Sequence, residues 1–408
     1  MNFERYIASR ISGIKPDSVS GPVVRLGIAG VALGIAVMLI ALAIVTGFQQ
    51  QIRQKMYGFT GHILVSSYET SRSQEPLPGR FPDSLIQKIS ATPGIDWVAP
   101  FATKAGIVKT SDQIEGVVLK GVDFRYNPDW INSHLIEGAL PDFNDSRVSN
   151  EVIVSRSLAR RLKLKTGDFL RIWFLNKDAT TPRGRRFVIS GIYETGMDEF
   201  DRLYVLGDIH HIRKLNGWDA GMAEGLEIHL IEPESAGEMN EAINMMLPFE
   251  LQAATVSSLY PQIFEWLKLQ DINVVVIIIL MVLVSVIAMI STLLILILEK
   301  TGLIGILKAM GSRNRSIRSI FLYQALYIVG RGLLAGNLIA FTLSVIQLKF
   351  GIFKLDQSSY YIPEVPVHLS LTHYILINVG VLLVCVVVLV IPTQIISRIS
   401  PVKAIRFE

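Results

Sequence analysis

Four apolar runs, Arg25–Phe48, Ile272–Leu298, Ile320–Gln347 and Leu371–Ile396, constrain this 408-residue chain more than any other feature. Each reaches the roughly 20 residues needed to cross the hydrocarbon core of a bilayer. Lipid offers no partner for backbone N–H and C=O groups, so runs of this length are expected as helices. A mean hydropathy of +0.42 and a charged content of 18% agree, since soluble chains carry about 25% charged residues. The stretch Gln49–Gln270 has ordinary polar composition and is long enough to form its own core. The expected fold is therefore a polytopic α-helical membrane protein with four transmembrane helices and a large α+β extracytoplasmic domain between the first and second. The first run exceeds the length of a signal-peptide apolar region and lacks a small-residue cleavage site, so it is expected as an uncleaved anchor.

Charge placement sets the expected orientation. From Gln49 to Gln270 there are 24 basic and 28 acidic residues, leaving 15 basic and 7 acidic for the rest. The basic residues outside that stretch cluster before the first run (Arg5, Arg10, Lys15, Arg25), between the second and third (Lys300, Lys308, Arg313, Arg315, Arg318) and after the fourth (Arg398, Lys403, Arg406). The positive-inside rule puts these segments and both termini in the cytoplasm, with the large domain and the segment Lys349–Ser370 on the other side. A sequence pI of about 9.0 then follows from topology and calls for no nucleic-acid partner. The lone cysteine, Cys385, lies within the last apolar run and forms no intramolecular disulfide.

These readings divide the chain into a cytoplasmic interfacial helix (1–21, with Phe3, Tyr6, Ile7, Ile11 and Ile14 at helical spacing) and a first span (22–48). An extracytoplasmic domain (49–268), a second span (269–298) and a cytoplasmic amphipathic helix (299–317) follow. A third span (318–347), a short outer loop (348–369), a fourth span (370–396) and a tail (397–408) complete it. Within the domain, His62–Ser67 alternates as a strand, Pro82–Ser90 reads as a helix, and Val117–Phe124 and Glu151–Val154 read as strands. Leu226–Ile231, Ser235–Leu247 and Leu251–Val256 read strand, helix, strand and mirror the unit at the domain's start. Such split units build one sheet with the intervening chain inserted as a second lobe. Tyr260–Leu269 runs without a breaker into the second span, which predicts one continuous helix.

No G-x-x-x-x-G-K-[ST] phosphate cradle, H-E-x-x-H or G-x-S-x-G motif occurs. Seven histidines show no spacing suited to a metal, and His210–His211 is a simple pair. Neither a catalytic residue nor a metal ligand is assigned. The informative segment is Glu299–Arg318, in which Leu303, Ile304, Ile306, Leu307 and Met310 fall at helical spacing, flanked by Glu299, Lys300 and Lys308 and stopped by Gly311. An apolar-faced helix in the cytoplasm needs a partner groove or the bilayer surface to cover it. Gly30-x-x-x-Gly34 and Gly332-x-x-x-Gly336 put small residues on one helix face, suited to close helix approach. Arg331 falls near the middle of the third span, where a charge costs about 3 kcal/mol or more. Asn337 and Asn378 are its candidate polar neighbours.

The run "EKTGLIGILKAMGS" closely resembles the coupling helix of FtsX-like ABC permeases, the architecture shared with MacB-type transporters and the LolC/LolE lipoprotein-releasing subunits. "VVRLGIAGVALGIAVMLIALAIVTGFQQQIRQKMYGFTGHILV", "GVVLKGVD", "GIYETGMDEFD" and "SRISPVKAIRFE" are similar to that family in order along nearly the whole chain, and "VTGF…GHILV" favours the lipoprotein-releasing branch. The resemblance implies a MacB-like periplasmic core domain and an ATPase contact through Glu299, Lys300, Ile304, Gly305, Ile306, Leu307, Lys308, Met310 and Gly311. It also implies a hairpin that captures a periplasmic lipoprotein carrier, with Asn176, Lys177, Thr181, Pro182, Arg183, Gly184 and Arg185 at the matching place, and a lipid-substrate cavity, with Val45, Phe48, Phe264 and Leu267 as its candidates. A separate ABC ATPase dimer would hold ATP and Mg, a second permease subunit of the same or a related chain would complete the complex, and the location would be the bacterial inner membrane. Permeases of this type serving peptide or drug efflux, or controlling cell-wall hydrolases, are the alternative; the short segment ahead of the first span argues against the fused-ATPase arrangement usual in MacB-type efflux.

Overall fold

A computed structural model describes residues 20–68, 77–110, 113–143, 147–175, 182–356 and 360–398. The expected interfacial helix before residue 20 and the tail beyond residue 398 lie outside the described residues. The chain divides into two compact units. One comprises Met1–Gln49, Trp266–Lys354 and Glu364–Glu408; the other comprises Gln50–Glu265 and Leu355–Pro363.

Four helices are long and apolar enough to cross a membrane: Ser20–Thr60, Pro261–Glu299, Asn314–Phe350 and Leu371–Thr393. The first ends where Gly61 takes a left-handed φ of 81° and its N–H closes on the Tyr57 carbonyl. The second opens with Pro261, whose missing N–H would have had no intrahelical partner. The third ends at Gly351, again left-handed, and the fourth carries Pro392 in its last turn. Their shared core includes Val31, Ile35, Met38, Leu293, Ile297, Phe321, Ile328 and Leu389.

The other unit carries twelve described strands: β1 (Ile63–Ser67), β2 (Gly79–Arg80), β3 (Ile95–Lys109), β4 (Ile114–Val122), β5 (Leu135–Gly138), β6 (Glu151–Ser155), β7 (Phe169–Phe174), β8 (Arg183–Tyr193), β9 (Tyr204–Asp208), β10 (Met222–Ala223), β11 (Gly225–Leu230) and β12 (Leu251–Thr255). The strand order β12-β1-β11-β3, with helix Asp83–Ser90 between β1 and β3 and helix Ala236–Asn244 between β11 and β12, is the split β-α-β arrangement expected from the sequence. Ile86, Ile89 and Ile243 bury those helices against Ile63, Val65 and Ile228.

The inserted lobe grows from the far half of β3. There β3 pairs with β4 on one side and β7 on the other, and the path β3-β4-β9-β6-β8-β7 returns to β3, so six strands close a small barrel. Alternation places Leu170, Ile172 and Phe174 of β7 inside and Phe169, Arg171 and Trp173 outside. The segment Leu355–Pro363, expected as part of a separate short loop, belongs to this unit. Lys55 Nζ donates to the Tyr361 carbonyl at 2.8 Å and to the Thr195 carbonyl at 2.5 Å, and the Tyr361 hydroxyl donates to Glu199 at 3.2 Å.

Candidate functional site

The four glycines of the two small-residue motifs lie at helix crossings. A Cβ on Gly30 would stand 2.9 Å from the Ala288 methyl, and one on Gly34 would collide with the Ser285 hydroxyl. Gly332 faces Val31, where a Cβ would come within 2.7 Å, and Gly336 faces the Ala32 carbonyl and Ile35. Both pairs therefore lie against residues that only a missing side chain lets approach, which is how helices associate where no hydrophobic force separates them from lipid. Asn337 and Asn378 join the third and fourth helices through a reciprocal amide pair, at 2.7 and 3.0 Å. They do not meet Arg331, contrary to the expectation. Each short amide finds its complement in the other, and Arg331, exposed on its helix, lies over the Tyr327 ring at 4.4 Å.

Between the second and third long helices, Thr301–Ala309 forms a short helix. Glu299 ends the preceding helix, Lys300 caps this one and pairs with Glu299 at 3.0 Å, and Gly311 turns the chain with φ 89°. Its apolar residues divide between two faces. Ile304 is 0% exposed and, with Gly305 and Leu307, is buried, while Leu303 packs beside them in the membrane unit's own core. Ile306 and Met310, one turn apart, are 52% and 78% exposed. This corrects the expected partner contact: Ile304, Gly305 and Leu307 are covered by this chain, and the outward face consists of Ile306, Ala309, Met310 and Gly311. Lys308 Nζ donates to the Ile396 carbonyl at 2.7 Å, which ties the helix to the end of the fourth span.

The segment expected to meet a carrier is a β-hairpin, with Phe174 opposite Arg183, Trp173 opposite Gly184 and Ile172 opposite Arg185. Asn176, Lys177 and Thr181 lie outside the described residues; Pro182, Arg183 and Gly184 are exposed at the hairpin's root. Gly184 leaves room for the Trp173 ring, which a Cβ would meet at 3.0 Å. On the same outer face Arg186 stacks on Phe169 at 3.5 Å. Of the residues proposed for lipid, Val45 and Phe48 are partly exposed, Phe48 standing edge-on to Trp266 at 5.5 Å. Phe264 and Leu267 are buried, which corrects their assignment. Phe264 belongs to a cluster with Met56, Phe59, Met197 and Phe200, and the Leu267 carbonyl accepts from Gln49 at 2.9 Å.

Sequence reasoning passed over one buried ion pair. Lys120 Nζ lies 2.6 Å from Glu227 and donates to the Phe59 carbonyl at 2.5 Å, with both side chains almost wholly buried. The signal was a charge within the apolar run Val117–Val122 of β4 and another, Glu227, within β11. Close by, Glu224 accepts from the Thr103 N–H and hydroxyl, and burial raises its carboxyl to about 7 against those bonds. Among the described residues no group of His, Cys, Asp and Glu is placed to hold a metal.

Four membrane-length helices, a large α/β domain inserted between the first two, and a short helix with an outward apolar pair define a multi-pass permease architecture. The chain matches the MacB-like periplasmic core domain over residues 26–244 and the FtsX-like permease C-terminal domain over residues 275–401, and it belongs to this family of permeases. It is 21% identical over 396 residues to the lipoprotein-releasing system transmembrane protein LolC of Xylella fastidiosa, covering 93% of each chain. It is 20% identical over 417 residues to the LolE protein of Haemophilus influenzae, covering 99% of each. The solved periplasmic region of MacB from Actinobacillus actinomycetemcomitans overlays 49% of this chain and 91% of its own with a TM-score of 0.35 and 13% identity.

Proposed function

We propose that this chain is a permease subunit of an ABC complex that releases lipoproteins from the bacterial inner membrane to a periplasmic carrier, for transfer to the outer membrane. The observation that carries the reading is collinearity: both family domains occur in order, and relatives named for lipoprotein release align over nearly the full length of both chains. ATP, with Mg, is bound and hydrolysed by a separate ATPase dimer, and no chemistry on the substrate is asked of this chain. Ile306, Met310 and Gly311, flanked by Glu299, Lys300 and Lys308, form its contact with that ATPase, because an exposed apolar pair on a cytoplasmic helix requires a groove to cover it. Both termini face the cytoplasm and the large domain the periplasm, following the basic clusters. A second permease subunit, of the same or a related chain, completes the complex. Val45 and Phe48 contact lipid acyl chains, and the hairpin of β7 and β8 receives the carrier.

Membranes bearing the complex, supplied with ATP and a soluble lipoprotein carrier, should move lipoprotein into the soluble fraction. Ile306→Asp should stop transfer, as should shortening the hairpin between Phe174 and Arg183. Transfer that continues undiminished in both variants contradicts the proposal.

A further inference from the structure

Arg331 is the residue whose setting most needs explaining. At about 1.5 Å per residue it lies about 25 Å from Asn314 and about 28 Å from Phe350, near the middle of the third long helix. Its side chain is exposed, and the guanidinium lies over the Tyr327 ring at 4.4 Å. Stacking covers the flat face of the guanidinium and leaves the five N–H donors in its plane, none of which bonds a described residue. A charge at that depth is costly in hydrocarbon unless an anion or a polar group meets it.

The arginine heads a polar ladder. Arg315, Ser319, Tyr323, Tyr327 and Arg331 recur at every fourth residue, so successive members are neighbours along one ridge of the helix. Tyr323 and Tyr327 are exposed like Arg331, and neither hydroxyl has a hydrogen-bond partner among the described residues. At the foot of the ladder Arg313, Arg315, Ser316 and Ser319 line an open cleft of about 430 Å³. Beyond Arg331 the outward residues turn apolar, with Leu334 and Leu338 exposed on the same side.

Charge decides what covers this face. Within the four long helices, Asp and Glu occur only as Glu265, Asp271 and Glu299 of the second, none of them at mid-span. A second copy of this chain therefore brings no carboxylate to the depth of Arg331. A phospholipid brings a phosphate together with its own acyl chains. The Cα–Cβ bonds of a helix tilt toward its N-terminus, and Arg331 leans that way, since Tyr327 is one turn nearer the start. Its donors thus reach toward the headgroups at the end marked by Arg313, Arg315 and Arg318.

We propose that this face of the third helix binds an anionic phospholipid drawn in from the leaflet at that end. Arg331 and the hydroxyls of Tyr323 and Tyr327 hold its phosphate, and its acyl chains lie against Leu334 and Leu338. A guanidinium suits the task because two of its N–H groups pair with two phosphate oxygens at once. The site stands whether or not the transported cargo is a lipoprotein.

The full chain, labelled with 3-fluorotyrosine in maltoside micelles that hold no phosphate, provides the test by fluorine NMR. Tyr323→Phe and Tyr327→Phe assign the two reporters among its twelve tyrosines. Phosphatidylglycerol should shift both resonances saturably and leave Tyr126 and Tyr193, buried in the other unit, unmoved. Diacylglycerol and inorganic phosphate should shift neither. Arg331→Gln should weaken phosphatidylglycerol roughly tenfold, and Arg331→Lys, which keeps the charge without the paired donors, should weaken it less. The resonance of Tyr374, packed against the membrane unit's core, should stay intact in both variants, which shows that the helices still associate. An affinity that Arg331→Gln leaves unchanged, or an equal shift from inorganic phosphate or diacylglycerol, overturns the proposal. No shift with phosphatidylglycerol also overturns it, and assigns the face to a carboxylate-bearing span of another chain.

Discussion

The buried pair Lys120 and Glu227 and the partly buried carboxyl of Glu224 make the domain of Gln50–Glu265 sensitive to single substitutions and to pH. Lys120 and Glu227 satisfy one another, and Lys120 also holds the Phe59 carbonyl near the end of the first long helix. Removing one partner strands the other without water. Lys120→Met should therefore cost about 3–5 kcal/mol, seen as a lowered midpoint in thermal unfolding of the purified chain. Glu224 acts through protonation. Below pH 4.5 its carboxyl is protonated whether folded or unfolded. Between 4.5 and about 7 the unfolded form ionises while the buried one keeps its proton, so stability falls as pH rises through that window. Glu224→Gln should remove this slope, worth at most about 3 kcal/mol, so that the variant gains on the parent between pH 5 and pH 8. A parent–variant difference independent of pH would contradict the assignment. None of these three residues drew notice in the sequence, because a charge in or beside an apolar strand has no motif; the partner of Lys120 lies more than a hundred residues away, and only the strand order brings it to Glu227.

At the scale of elements, period and length were legible, and coverage was not. The four spans, the split β-α-β units and the hairpin root follow from apolar run length, alternation and turn residues. The longest strand, β3, was overlooked because Pro100 and Gly106 interrupt it, residues that normally argue against a central strand. β9 and the helix Ile209–Asn216 were passed over as well. The short helix Thr301–Ala309 shows the same limit differently. Helical spacing grouped Ile304, Ile306, Leu307 and Met310 together, but the helix is apolar on two sides and only packing separates them. Ile306→Asp should preserve expression and thermal stability while uncoupling ATP hydrolysis from transfer. Ile304→Asp should instead lower the amount of folded protein in membranes, because it buries a carboxylate in the core. Equal loss of folded protein in both would show that Ile306 is not outward-facing. In the membrane unit, Gly336→Ile forces a side chain into Ala32 and Ile35. It should destabilise the purified chain by about 1–3 kcal/mol, measured in detergent, whereas Gly330→Ala, where a Cβ meets nothing, should change little.

For the whole molecule, hydropathy and the length of the apolar runs led to four long helices with a large domain between the first two without any functional residue, because such sums over many residues tolerate error at each. Which surfaces face a partner depends on a few side chains and on the core behind them. That is why Ile304, Leu307, Phe264 and Leu267 needed the structure to reveal them as interior, while Ile306 and Met310 emerged as the outward pair. Lipoprotein release is the activity this permease architecture is proposed to serve. It is tested most directly by depleting the chain in its native cell, with an Ile306→Asp strain alongside, and quantifying triacylated lipoproteins in the inner and outer membranes. Accumulation in the inner membrane is expected in both. Normal sorting in depleted cells would contradict it and direct attention to efflux or cell-wall control.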